Sequence, residues 1–68
     1  MNEEALNLGI RMFLKQFGIA AQREIEKAVD AGLRAGTVKG TERLKVSATL
    51  RIEGLEPEFT LKGEIPLG

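Results

Sequence analysis

From Leu44 to Leu67 apolar and polar residues alternate with a period of two. Leu44, Val46, Ala48, Leu50 and Ile52 fall on one side, and Lys45, Ser47, Thr49, Arg51 and Glu53 on the other. After Gly54-Leu55-Glu56-Pro57 the alternation resumes, with Phe59, Leu61, Gly63 and Ile65 inward and Glu58, Thr60, Lys62 and Glu64 outward. Two such runs split by a Gly/Pro turn predict an antiparallel β-hairpin, strands at about 44–52 and 58–65, with one dry and one wet face. Two registers preserve that dry face. One sets Ile52 opposite Phe59 and Ala48 opposite Gly63, leaving a shallow pit that an aromatic ring would fill. The other sets Arg51 opposite Glu58 and Lys45 opposite Glu64. The second is favoured, because it pairs opposite charges and is expected to give the shorter turn.

The first half of the chain has a helical period instead. Asn2 is a good N-cap, Glu3 and Glu4 suit the positive end of a helix dipole, and Gly18 reads as the residue just past a helix end. A first helix is therefore predicted over about 3–17. Leu6, Ile10, Phe13, Leu14 and Phe17 form a broad apolar stripe on it, while Ala5, Leu8 and Met12 form a second. A second helix is predicted over about 21–35, ended by Gly36, with a face of mostly small residues: Ala21, Ile25, Ala28, Val29 and Gly32. Ile19-Ala20-Ala21 offers that helix no side-chain cap, so an irregular first turn is expected. Gly36–Arg43 is polar and aperiodic and reads as a mobile linker. The expected architecture is α+β: a single ααββ domain over 1–68, two helices packed on the hairpin, with the Phe13/Phe17 stripe on the Val46/Leu50/Leu61 face.

Size sharpens this picture. A chain of 68 residues offers a core that barely offsets the entropy of ordering it, so such domains rely on a disulfide, a metal or a partner. Cysteine and histidine are both absent, which removes disulfides and the usual thiolate and imidazole metal ligands. No cofactor or metal site is read. Self-association is the remaining staple, and a homodimer is expected, with Leu8, Met12 and Ala5 as the candidate interface. The unpaired edges of a two-stranded hairpin are a second route to a copy of the chain, or to a protein partner.

Catalysis finds little support. Glu24 and Glu26 point to different sides of a helix, and Glu53, Glu56 and Glu58 sit at an exposed turn where nothing would raise a carboxyl pKa. The glycines of Gly36-Thr37-Val38-Lys39-Gly40-Thr41 suggest a phosphate loop, but this segment leaves a helix and enters a strand, the reverse of the order that motif requires. No catalytic residue is assigned, and the chain is not read as an enzyme.

Net charge is zero but unevenly spread, at −1 over 1–30, +4 over 31–52 and −3 over 53–68. Arg23, Lys27 and Arg34 share one helix face, and with Lys39 and Arg43 they are the candidate nucleic-acid contacts, in a helix–turn–helix followed by a hairpin wing. Glu24, Glu26 and Asp30 on the same helix and the missing aromatic base-readers weigh against that alternative. The acidic start, Met1–Glu4, is unlike a signal peptide, and no apolar run approaches membrane-spanning length, so a cytoplasmic protein is expected.

Several segments together carry a family likeness: Arg11-Met12-Phe13-Leu14-Lys15, Gly18, Gln22-Arg23-Glu24-Ile25-Glu26-Lys27-Ala28-Val29 and the closing Gly63-Glu64-Ile65. The chain resembles a family of short bacterial proteins of unknown function that open Met-Asn-Glu and carry the Gln-Arg-Glu-Ile-Glu-Lys-Ala-Val block. The likeness spans nearly the whole chain. Where that family tends to place Thr-Ser ahead of the block, this chain has Ala20-Ala21. The resemblance implies a stand-alone bacterial ααββ protein, self-associating as a homodimer. It brings no activity and no site residues.

Overall fold

The structure is a computed structural model and describes all residues, Met1–Gly68. It is α+β, with a helix α1 over Glu3–Ala35 followed by strands β1, Arg43–Leu50, and β2, Phe59–Pro66. The chain divides into two compact units, Met1–Thr37 and Val38–Gly68.

The two expected helices are one. α1 runs for 33 residues without interruption through Gly18, whose backbone stays outside the left-handed region. The reason lies in the cost of the alternatives. A glycine inside a helix costs about 1 kcal/mol relative to alanine. Stopping there would orphan the last carbonyls of one helix and the first amides of the next. Ile19-Ala20-Ala21 supplies no side chain to satisfy those amides, and no proline enforces a break. Continuation wins. At about 1.5 Å per residue α1 is about 50 Å long.

Both ends of α1 are capped. The Asn2 side-chain oxygen accepts from the Ala5 amide at 3.1 Å, and Glu3 and Glu4 occupy the first turn. At the other end Gly36 turns left-handed with φ 77°. Its amide donates to Leu33 at 3.3 Å and the Thr37 amide to Gly32 at 2.9 Å, the paired bonds of a Schellman motif. The Thr37 hydroxyl adds a second bond to the Gly32 carbonyl at 3.2 Å.

The segment expected to be a mobile linker is tied down. The Glu42 carboxylate accepts from three successive amides, Lys39 at 2.7 Å, Gly40 at 2.9 Å and Thr41 at 3.1 Å. The Leu67 amide donates to the Glu42 carbonyl at 2.8 Å, so the last residues close on the start of the hairpin. Val38, Gly40, Glu42, Leu44, Val46, Ile65 and Leu67 are half-buried in this region.

The antiparallel pairing follows the charge-matched register, with Leu44 opposite Ile65, Lys45 opposite Glu64, Val46 opposite Gly63, Ala48 opposite Leu61 and Leu50 opposite Phe59. No Ala48/Gly63 pit forms. A Cβ on Gly63 would meet Val46 Cγ1 at 3.8 Å, an ordinary contact. The strands differ from expectation at their ends, because the ladder stops at Leu50 and Phe59 and leaves Arg51, Ile52 and Glu58 in the loop. The connection is consequently longer than expected, spanning residues 51–58. Within it the Leu55 amide donates to the Ile52 carbonyl at 3.1 Å, and Gly54 takes φ 80° at the third position of that turn. The wet face is laced by polar pairs. Thr49 and Thr60 share a hydroxyl hydrogen bond at 3.0 Å, and Arg43 bonds Glu64 at 3.2 Å, taking the partner that faces Lys45 in the ladder.

Candidate interaction surface

No residue of the chain is fully buried, so neither unit encloses an apolar core. Apart from Ile25 and Val29, which are half-buried, the large hydrophobic side chains of α1 are substantially exposed. Leu8 and Met12 retain 60% and 55% of their accessible surface, and Phe13 and Phe17 retain 50% and 47%. The two phenyl rings stack with centroids 6.3 Å apart, as residues one turn apart on a helix allow.

Ala5, Leu8 and Met12 lie on one continuous face of α1, as their spacing requires. Because the helix does not break at Gly18, that face gains Ile19, seven residues and nearly two turns beyond Met12, and about half exposed. Sequence reasoning missed Ile19 by assigning it to a turn. The signal was present in the absence of a cap after Gly18.

The hairpin carries its own apolar face. Its end near the strand termini, at Leu44, Val46 and Ile65, is half-buried, whereas Leu50, Phe59 and Leu61 towards the loop are exposed. Both strand edges lack a neighbouring strand.

The candidate nucleic-acid contacts are divided between the units. Arg23, Lys27 and Arg34 project from one side of α1, while Lys39 and Arg43 belong to the second unit. Three of the five are engaged within the chain. Lys27 pairs with Glu24 at 3.3 Å, Arg34 with Asp30 at 3.2 Å and Arg43 with Glu64 at 3.2 Å, all exposed. Such pairs stabilise weakly, but they neutralise the charge a phosphate would meet. Arg23 and Lys39 form no ion pair.

Glu42 is the one carboxylate in a specific cradle. The Lys39 amide foremost, then its own amide and those of Gly40 and Thr41, favour the charged form and hold its pKa below the ordinary glutamate value. This arrangement is an anion nest filled by the chain's own side chain. No group of three or more acidic side chains is placed to hold a metal ion, and no helix is long and apolar enough to cross a membrane.

The chain belongs to the family of unknown function DUF6494, whose model matches residues 1–68. Neither the comparison with curated proteins nor that with solved structures finds a match.

Proposed function

We propose that this protein is a small non-catalytic interaction module that works through self-association of α1. One observation carries the reading: a chain of 68 residues buries no hydrophobic side chain, yet displays Leu8, Met12, Phe13 and Phe17 on a capped, uninterrupted helix. Folding has to remove apolar surface from water to offset chain entropy. That surface needs a cover, and in this reading another molecule supplies it. A second copy is the simplest cover, and the face built from Ala5, Leu8, Met12 and Ile19 is its docking seam. A cytoplasmic setting fits a chain without cysteine.

Sedimentation equilibrium over a wide concentration range tests this directly. Reversible association of the wild type, weakened in Leu8→Glu, supports the module. A wild type that stays monomeric at the highest concentration rejects it. Binding of labelled duplex or single-stranded DNA at low salt, lost as salt rises, would replace it with the nucleic-acid reading.

A further inference from the structure

The register of the hairpin determines which backbone groups face out from its edges. The Leu67 amide donates to the Glu42 carbonyl, and these two residues continue the pairing that sets Leu44 opposite Ile65. In an antiparallel ladder, opposed residues that exchange hydrogen bonds alternate with opposed residues that do not. Phe59, Leu61, Gly63 and Ile65 therefore direct their amides and carbonyls to β1, whereas those of Thr60, Lys62 and Glu64 point away from it. Pro66 is next in that outward row, has no amide to offer, and closes it. On β1 the outward row includes Lys45, Ser47 and Thr49.

A free edge of this kind accepts another strand, and two strands alone are marginal in water. This sheet has two, and none of its side chains is fully buried. The edges differ in charge. β1 carries Arg43 and Lys45, with Arg51 just beyond it, so two copies of β1 have no opposite charges to match. On β2, Lys62 lies between Glu58 and Glu64. Those two carboxylates bond Arg51 and Arg43, while Lys62 forms no ion pair within its own chain.

Charge and proline together select a register. Two copies of β2 related by a two-fold axis and laid antiparallel keep their apolar faces together when even-numbered residues oppose even-numbered ones. Centring on Leu61 sets Glu58 against Glu64, and centring on Lys62 sets that lysine against its own copy. Centring on Gly63 puts Pro66 opposite Thr60, whose carbonyl then lacks a donor. Centring on Thr60 sets Glu58 opposite Lys62 at both ends and Phe59 opposite Leu61 on the apolar face. The outward amides and carbonyls of Thr60 and Lys62 are then all paired. Joining β1 of one copy to β2 of the next would instead repeat without closing.

We infer that β2 is a self-pairing edge, and that two copies join β2 to β2 about Thr60 into a four-stranded antiparallel sheet. Main-chain hydrogen bonds hold the contact, and Glu58–Lys62 pairs between the copies set its register. It lies on the hairpin, goes beyond the α1 association proposed above and does not depend on it.

Amide hydrogen exchange on the unsubstituted full chain, followed by NMR over a wide range of concentration, tests this edge. Exchange at Thr60 and Lys62 is expected to slow by about tenfold or more as concentration rises, while Glu64, Ser47 and Thr49 stay fast. Equally fast exchange at all five overturns the pairing. Protection that extends to Glu64 overturns the Thr60-centred register, and protection at Ser47 and Thr49 overturns the choice of β2. The chain has no cysteine, so a single introduced thiol gives an independent reading. Opposed Thr60→Cys residues would have Cα atoms about 5.5 Å apart, within disulfide reach, whereas Ser47→Cys residues would lie about 14 Å apart across the sheet. On mild oxidation with diamide, Thr60→Cys is expected to link into dimers faster than Ser47→Cys, and more slowly once Lys62→Glu sets like charges across the contact. Equal rates for the two cysteine variants overturn the proposal. Leu8→Glu separates it from the α1 reading: protection at Thr60 that survives this substitution belongs to the edge alone, and self-association without that protection leaves only α1.

Discussion

Arg51 and Glu58 meet at 2.9 Å across the neck of the hairpin loop, one position beyond the last paired residues, Leu50 and Phe59. They extend the register by charge where the backbone ladder has already ended. The Arg51 Nε also reaches the same carboxylate oxygen at 3.0 Å. Geometry of this kind fixes alignment more than it adds stability, because both side chains remain largely in water. A double-mutant cycle with Arg51→Ala and Glu58→Ala is therefore expected to give a coupling of about 0.2–1 kcal/mol that shrinks with added salt. A coupling several times larger, insensitive to salt, would mean that the loop neck is shielded from solvent.

Gly18 distinguishes one helix from two. In a continuous α1 it occupies a helical conformation with open space around its missing Cβ. Gly18→Ala is then expected to stabilise the helix by about 1 kcal/mol and to raise its thermal midpoint in circular dichroism. At a left-handed helix terminus the same substitution would be strained and would destabilise. The sign of the change settles which conformation the residue adopts in solution. Gly36→Ala provides the contrast: with φ 77° it sits in that left-handed terminus, and the substitution is expected to cost about 1–2 kcal/mol.

The hairpin was more legible in the sequence than the helix, and the difference is physical. A period of two leaves no ambiguity about which residues share a face, and the opposed charges of Arg51 and Glu58 select one register of the two allowed. Helix continuity is decided by a balance of small terms. One glycine signals a stop, yet it costs only about as much as a single missing cap. Ile19-Ala20-Ala21 tipped that balance towards continuation, and with it moved Ile19 onto the Leu8/Met12 face. Glu42 was illegible for another reason. Its carboxylate is held by the amides of its own preceding residues, a contact that depends on backbone direction at Lys39–Thr41 and leaves no side-chain pattern behind. The apolar faces of α1 are visible in the sequence, whereas what covers them leaves no pattern in a single chain.

Glu42 makes the entry to the hairpin sensitive to acid. Hydrogen bonds from the Lys39 amide and its neighbours place the folded-state pKa below the unfolded one. The stabilisation is therefore complete above the unfolded value and is lost as pH falls through the folded one. The carboxyl carbon of Glu42, followed by NMR, is expected to titrate below the ordinary glutamate range. Glu42→Ala should destabilise the hairpin at neutral pH and flatten the loss of stability on acidification. An unchanged acid profile in that variant would assign the sensitivity to other carboxylates.

Concentration should govern stability more strongly than any single side chain. A protein that encloses its own core unfolds at a midpoint independent of dilution, whereas one completed by its neighbours draws its stability from mass action. Here no apolar side chain is buried within the chain, and α1 displays Leu8, Met12, Phe13 and Phe17 together. Each tenfold dilution should remove about 1.4 kcal/mol for every association step coupled to folding. Thermal melts by far-UV circular dichroism over a hundredfold range of concentration are expected to shift upward by a few degrees per tenfold increase. A midpoint that ignores concentration would show that the folded state is complete in one chain, and the Ala5/Leu8/Met12/Ile19 face of α1 would then be a surface without a self-partner.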